Sequence, residues 1–275
     1  MDVAVKQINL TENKGALQRI WELSFPNDAD FAPYFLKNIV DYAECYAVIL
    51  DCSPICAAYF LKSELSIHGV KWNARYVYGV GTLPEYRKKG YASLLLREAA
   101  KSINADVLFL FPATESLRNF YTKSGYSDFF MQKRETLIKS TTFSCADAKS
   151  AQFDAQIYCK QRADFLKQTT LSFATFPVKT MDALLPHAFK IDFENGTALL
   201  VETEDSIVLP EMLLKAEDTD RFLQAVQRAY PSKSVVYSVA DTKAAAGMLL
   251  PLSDTAKQNI DLSKKVPFFG TFFDV

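Results

Sequence analysis

Val107-Leu108-Phe109-Leu110-Phe111 restricts the possible folds more than any other stretch of the chain. The run follows Asp106, is closed by Pro112 and carries no polar side chain, so it predicts a strand buried on both faces. Upstream, Ala74 to Thr82 predicts another strand, rich in tyrosine and valine. Between the two, Tyr91, Leu95, Ala99 and Ile103 recur at helical spacing, with Leu94, Leu96 and Ala100 widening the apolar stripe. A strand, an amphipathic helix and a doubly buried strand make a crossover, so the strands are expected to be parallel neighbours.

The entry to that helix is basic. A turn at Thr82 to Glu85 is followed by Arg87, Lys88, Lys89 and Gly90, just where the helix begins. The first N–H groups of a helix lack intrahelical partners and its macrodipole is positive there, so phosphate is favoured and the cations add attraction. Gly90 allows a ligand close to the backbone.

The rest of the first half fits around this unit. A strand over residues 3–10 leads to a helix capped by Thr11 or Asn13, with Leu17, Ile20, Trp21 and Ser24 on one face. Phe25-Pro26-Asn27-Asp28 breaks it, and a second helix over Asp30 to Asp41 carries Phe31, Tyr34, Phe35 and Ile39, as core or as a lid over an acceptor pocket. Cys45 to Leu50 and Ile55 to Ile67 precede Ala74 to Thr82 in an antiparallel meander. Phe109 and Phe111 read as core. Thr114 to Ser124 predicts a helix stopped by Gly125, and Tyr126 to Ile138 the returning strand.

Residues 140–150 are small and polar enough to be a linker, dividing the chain into units 1–139 and 151–275. The second unit predicts a helix over Ala155 to Lys167 and a hairpin of Thr197 to Glu202 with Ser206 to Leu214. A helix over Thr219 to Tyr230 and strands over Ser234 to Ala240 and Pro267 to Val275 follow. It repeats part of the first unit without a basic turn: Lys215-Ala216-Glu217-Asp218 would repel phosphate. The fold class is α/β (α+β), a mixed twisted sheet flanked by helices.

A net charge of −1 argues against a broad nucleic-acid surface. No apolar run approaches the ~20 residues needed to span a bilayer, and no signal peptide opens the chain, so no membrane partner and a cytoplasmic setting are expected. The five cysteines are odd in number and read as reduced packing residues; Cys52 and Cys56 have no histidine at a ligand spacing, so no metal is expected. No pattern assigns an oligomeric state.

Arg87-x-x-Gly90-x-Ala92, between a strand and an amphipathic helix, resembles the acyl-CoA signature of the GCN5-related N-acetyltransferases, Arg/Gln-x-x-Gly-x-Gly/Ala. Tyr121-x-x-x-Gly125-Tyr126 resembles the family's later motif, in the right order and at the right separation. The resemblance covers residues 3–138. Ile20 to Asp28 also resembles the first helix of a subgroup similar to the enhanced intracellular survival acetyltransferases, in which a degenerate second domain of the same type follows. Gly247-Met248-Leu249 and Phe268 to Asp274 fit that second domain.

The resemblance implies acetyl-CoA as co-substrate, transfer of its acetyl group to a primary amine, and a second domain that shapes the acceptor site. Val80, Gly81 and Thr82 would offer backbone groups to the pantetheine arm and the acetyl carbonyl. Arg87, Lys88, Lys89, Gly90, Tyr91, Ala92 and Ser93 would cradle the pyrophosphate. Thr114 stands where the family often has Asn, and Tyr121 would protonate the leaving thiolate. Phe25, Asp28, Phe31 and the terminal Val275 would face the acceptor.

Where several relatives carry a strand glutamate, this chain has Arg75-Tyr76-Val77. Glu64, Asp28, Glu115 and the Val275 carboxylate are candidate bases, and water is the alternative. Asp28, Asp30 and Asp41 make a cationic amine attractive. Two other classes compete: a non-catalytic acyl-CoA-binding regulator, and an aminoacyl transferase of the peptidoglycan-bridge type.

Overall fold

A computed structural model describes residues 3–137, 149–194 and 196–270. β1 (Val3–Ile8) leads into α1 (Lys14–Ser24), which buries Leu17, Ile20 and Trp21. Of the two expected caps, Asn13 stands at the N-cap of α1, without a side-chain cap bond, and Thr11 does not. Asn9 Oδ1 accepts from the N–H groups of Thr11 and Glu12 at 2.9 and 3.2 Å in the turn before the helix. The expected second helix is divided into a 3-10 segment, Pro26–Phe31, and α2 (Ala32–Asn38). Asp28 leaves helical geometry at φ −116, and Pro33 is tolerated because it stands in the first turn of α2, where no N–H is needed.

β2 (Ala43–Leu50), β3 (Ser53–Ile67) and β4 (Val70–Thr82) form the antiparallel meander. Both connections are two-residue turns with positive φ, Asp51 and Cys52 at 46° and 66°, His68 and Gly69 at 49° and 78°. That twist matches the strands they join. α3 (Tyr91–Ser102) crosses to β5 (Val107–Leu110), which lies parallel to β4 and is buried at every residue. α4 (Glu115–Lys123) is stopped at Gly125, φ 95°, and β6 (Ser127–Thr136) returns.

The later part of the chain contains β7 (Lys149–Gln152), α5 (Ala155–Leu166), β8 (Ser172–Thr175), α6 (Val178–Leu184) and β9 (Phe189–Phe193). The expected hairpin is β10 (Gly196–Glu202) with β11 (Ser206–Leu213), followed by α7 (Thr219–Ala229). β12 (Ser234–Pro251) runs well beyond the expected Ala240, and α8 (Asp254–Asn259) and β13 (Val266–Phe269) complete the described chain. Residues 138–148, most of the expected linker, and 271–275, including Val275, lie outside the described residues.

β12 joins the two halves. It starts parallel to β11, runs antiparallel to β6, and ends with Met248–Pro251 antiparallel to β5, so it stands between β5 and β6. β13 lies between β6 and β8, and β8 pairs with Glu64–Ser66 of β3. Among the described residues, one sheet of thirteen strands results. The main core also crosses the halves: the ring of Phe268 packs 4.6 Å from Phe130 and 5.2 Å from Phe111. A second, smaller cluster around Phe193, Phe222 and Val226 belongs to the later half.

Candidate functional site

The pairing of β4 with β5 covers Ala74–Val107, Arg75–Leu108 and Tyr76–Phe109. Beyond Tyr76 the register of β4 against β3 slips, between Tyr78 and Gly81, and Gly79 takes φ 56°. A bulge of this kind bends a strand and raises its twist. α1 presses on the same segment: a Cβ at Gly79 would lie 2.8 Å from the Trp21 ring, and one at Gly81 2.8 Å from Ser24 Oγ. The result is a cleft of about 770 Å³ between Val77–Thr82 and Leu110–Ala113, closed by Phe25, Asp28, Tyr121 and Arg134.

Gly79→Val combines a branched residue at positive φ with overlap against Trp21. It is expected to cost on the order of 3 kcal/mol of stability, read as a lower urea midpoint at unchanged slope.

At the mouth, the Arg87 guanidinium donates to the carbonyls of Thr82 (3.0 Å) and Leu23, tying the basic turn to β4 and α1. Its backbone N–H donates to Pro84 O at 3.3 Å. Arg87 therefore braces the basic turn through both its guanidinium and its backbone N–H. Lys88 and Gly90 have φ of 60° and 82°, and Lys89 Nζ lies 5.4 Å from the Tyr86 ring centroid. A Cβ on Gly90 would meet nothing within 4 Å, so its left-handed φ is what calls for glycine. Gly90 is the N-cap of α3, with no side-chain cap and no acidic residue in the first turn. The N–H groups of Tyr91, Ala92 and Ser93 occupy that turn, where intrahelical acceptors are lacking.

Tyr121 reaches the cleft from α4, with its ring edge-on to Phe120 and Tyr126 at 5.0 and 5.7 Å. Burial pushes its phenol up to about 12, which keeps the proton in place. Val80, Gly81, Thr82, Phe25 and Asp28 also line the cleft. Thr114 does not; its Oγ1 accepts from Leu117 N at 3.2 Å and caps α4. Phe31 packs behind the wall, 6.0 Å from Trp21 and 5.7 Å from Phe35. Phe111 belongs to the main core, as expected, and its ring also forms part of the wall.

Of the candidate bases, Glu64 pairs with Lys71 at 2.8 Å and lines a separate cavity of about 480 Å³. Glu115 lies 3.4 Å from Arg118 with its side chain 77% exposed. Among the described residues, Asp28 is the carboxylate lining the cleft. Arg75 on the central strand is structural: it pairs with Glu44 at 2.7 Å and donates to Asn73 Oδ1 and the carbonyls of Ala74 and Asn104. Arg134 was not singled out in the sequence, because alternation along β6 marks it only as a polar position. Among the described residues no group of three His, Cys, Asp or Glu could hold a metal, and no helix is long and apolar enough to cross a membrane.

Residues 5–128 match the family model described as an acetyltransferase (GNAT) domain. That match spans just under half of the chain. Solved structures share the wider fold. A conserved Enterococcus faecalis V583 protein described as a probable N-acyltransferase superposes at a TM-score of 0.73 and 12% identity, covering 92% of this chain and 73% of that one. Eis1 from Mycobacterium abscessus gives 0.56 at 13% identity, covering 86% and 65%. A tandem GNAT protein from the clavulanic acid biosynthesis pathway gives 0.55 at 9%, covering 92% and 99%. Comparison with curated proteins by sequence finds no match. These structural likenesses show the fold. The matched segment contains both β4 and β5, which diverge beyond Tyr76 to form the cleft.

Proposed function

We propose that the protein transfers acetyl from acetyl-CoA to a primary amine of a small molecule or peptide. The observation that carries this reading is a cleft lined by a bulged strand end and a protonated tyrosine, with Arg87 of the basic turn that precedes α3 at its mouth. The pyrophosphate would lie on the first turn of α3, with Lys88 and Lys89 adding charge. The pantetheine arm would run along Val80 to Thr82 into the cleft.

A neutral amine nitrogen attacks the thioester carbon, forming the C–N bond and placing charge on the carbonyl oxygen. A backbone N–H at the β4 bulge stabilises that oxyanion. The C–S bond then breaks, Tyr121 gives its proton to the thiolate, and the proton lost by the nitrogen returns to Tyr121 through water. Products are the N-acetyl amine and free CoA. Asp28, also in the cleft lining, favours a cationic acceptor and would relay the amine proton into that water. Residues 151–275 would shape the acceptor side, supported by Tyr34 Oη donating to Asp182 O at 3.2 Å and by Phe176 packing 6.1 Å from Tyr76. A cytoplasmic setting belongs to the same reading.

A thiol-release screen with acetyl-CoA across polyamines, aminoglycosides, amino acids and peptides tests it. Turnover with a cationic amine is expected. Turnover with none, or transfer only from aminoacyl-tRNA, would overturn the reading. Since burial holds the Tyr121 proton to about 12, the rate is expected to rise with pH as the amine deprotonates. No descending limb from the phenol should appear before about pH 10.

A further inference from the structure

Tyr121 is carried by a helix that packing alone holds weakly. α4 has nine residues, and Tyr121 is the buried one among them. A helix so short is marginal by itself and depends on tertiary contacts. One turn before Tyr121, Arg118 points inward with its side chain 15% exposed. Its Nη1 pairs with Asp128 at the start of β6, and its Nη2 donates to Ala245 O at 2.9 Å and Ala246 O at 3.4 Å on β12.

Those carbonyls are offered by an irregularity. The register of β12 against β6 slips between Ala240 and Ala245 and again at Gly247, which interrupts the ladder locally. The same irregularity makes room for the cleft wall, because a Cβ on Gly247 would lie 2.7 Å from the Phe111 ring. The later half thus supplies two acceptors that fix the helix carrying the proton donor of the first half.

We propose that Arg118 is the positioning residue for Tyr121, clamping α4 to Asp128 and to the β12 bulge so that the phenol stays aimed into the cleft. This rests on Tyr121 acting as the acid. A planar guanidinium serves a carboxylate and two carbonyls together; an ammonium, a point charge on a flexible stem, does not hold that geometry.

The test is a double-mutant cycle on the full chain, following thiol release from acetyl-CoA with the best amine of the screen, or with water as acceptor. Arg118→Ala and Arg118→Lys are expected to lower kcat about 10- to 100-fold and to leave the KM for acetyl-CoA within about twofold. In a Tyr121→Phe background neither should lower kcat further. An equal loss from Arg118→Ala in both backgrounds, or no loss in either, overturns the inference while leaving the acid assignment standing. An unchanged rate in Tyr121→Phe alone removes the acid, and the inference with it. If Arg118→Ala does not fold, Arg118→Lys and Asp128→Asn carry the cycle with the same expectation.

Discussion

Tyr121→Phe is expected to lower kcat about 10²- to 10⁴-fold, the usual contribution of a positioned general acid, and to leave CoA affinity within about twofold. The ring would keep its contacts with Phe120 and Tyr126, so stability should change little and the loss can be assigned to the hydroxyl. A thiolate then leaves unprotonated, or takes its proton from water. The effect should be smaller for a thioester whose thiol is a stronger acid, because such a thiolate needs less help. A rate unchanged by the substitution, measured with acetyl-CoA under saturating conditions, would remove Tyr121 from the chemistry.

The second large effect is expected on cutting the chain. Residues 1–139 expressed alone should not give a cooperatively folding monomer. β5, buried at all four residues, would lose its pairing with Met248–Pro251, and β6 would lose both β12 and β13. Phe130 and Phe111 would lose the Phe268 ring, and removal of one buried phenylalanine already costs about 3–5 kcal/mol. Against a typical total of about 5–15 kcal/mol, these losses are disabling, and the freed strand edges favour aggregation. A soluble 1–139 fragment with a sharp urea transition would show that the first half is self-sufficient.

The parts legible in the sequence are those set by local pattern. The meander, the α3 crossover and β5 followed from alternation, helical spacing and an unbroken apolar run, and Gly125 marked the end of α4 through its left-handed φ. The motif around Gly90 placed the helix N-terminus correctly for the same reason. What escaped depends on contacts between distant residues. Nothing local shows that β12 continues past Ala240 to lie between β5 and β6, since Ala244 to Gly247 reads as small residues rather than strand. Nor does anything local show that Arg87 donates to the Leu23 and Thr82 carbonyls, since that requires α1 to lie against β4. Glu64 looked available as a base until the hairpin placed it beside Lys71, away from the cleft. Arg118 carried no motif at all, and its bond to Ala245 O reaches a bulge more than a hundred residues away.

The most direct measurement of the central claim is a crystal structure of the full chain with CoA. The pyrophosphate should lie within hydrogen-bond distance of the N–H groups of Tyr91, Ala92 or Ser93, with the sulfur inside the cleft beside Tyr121. CoA bound with its pyrophosphate away from Gly90, or its sulfur remote from Tyr121, would contradict the account.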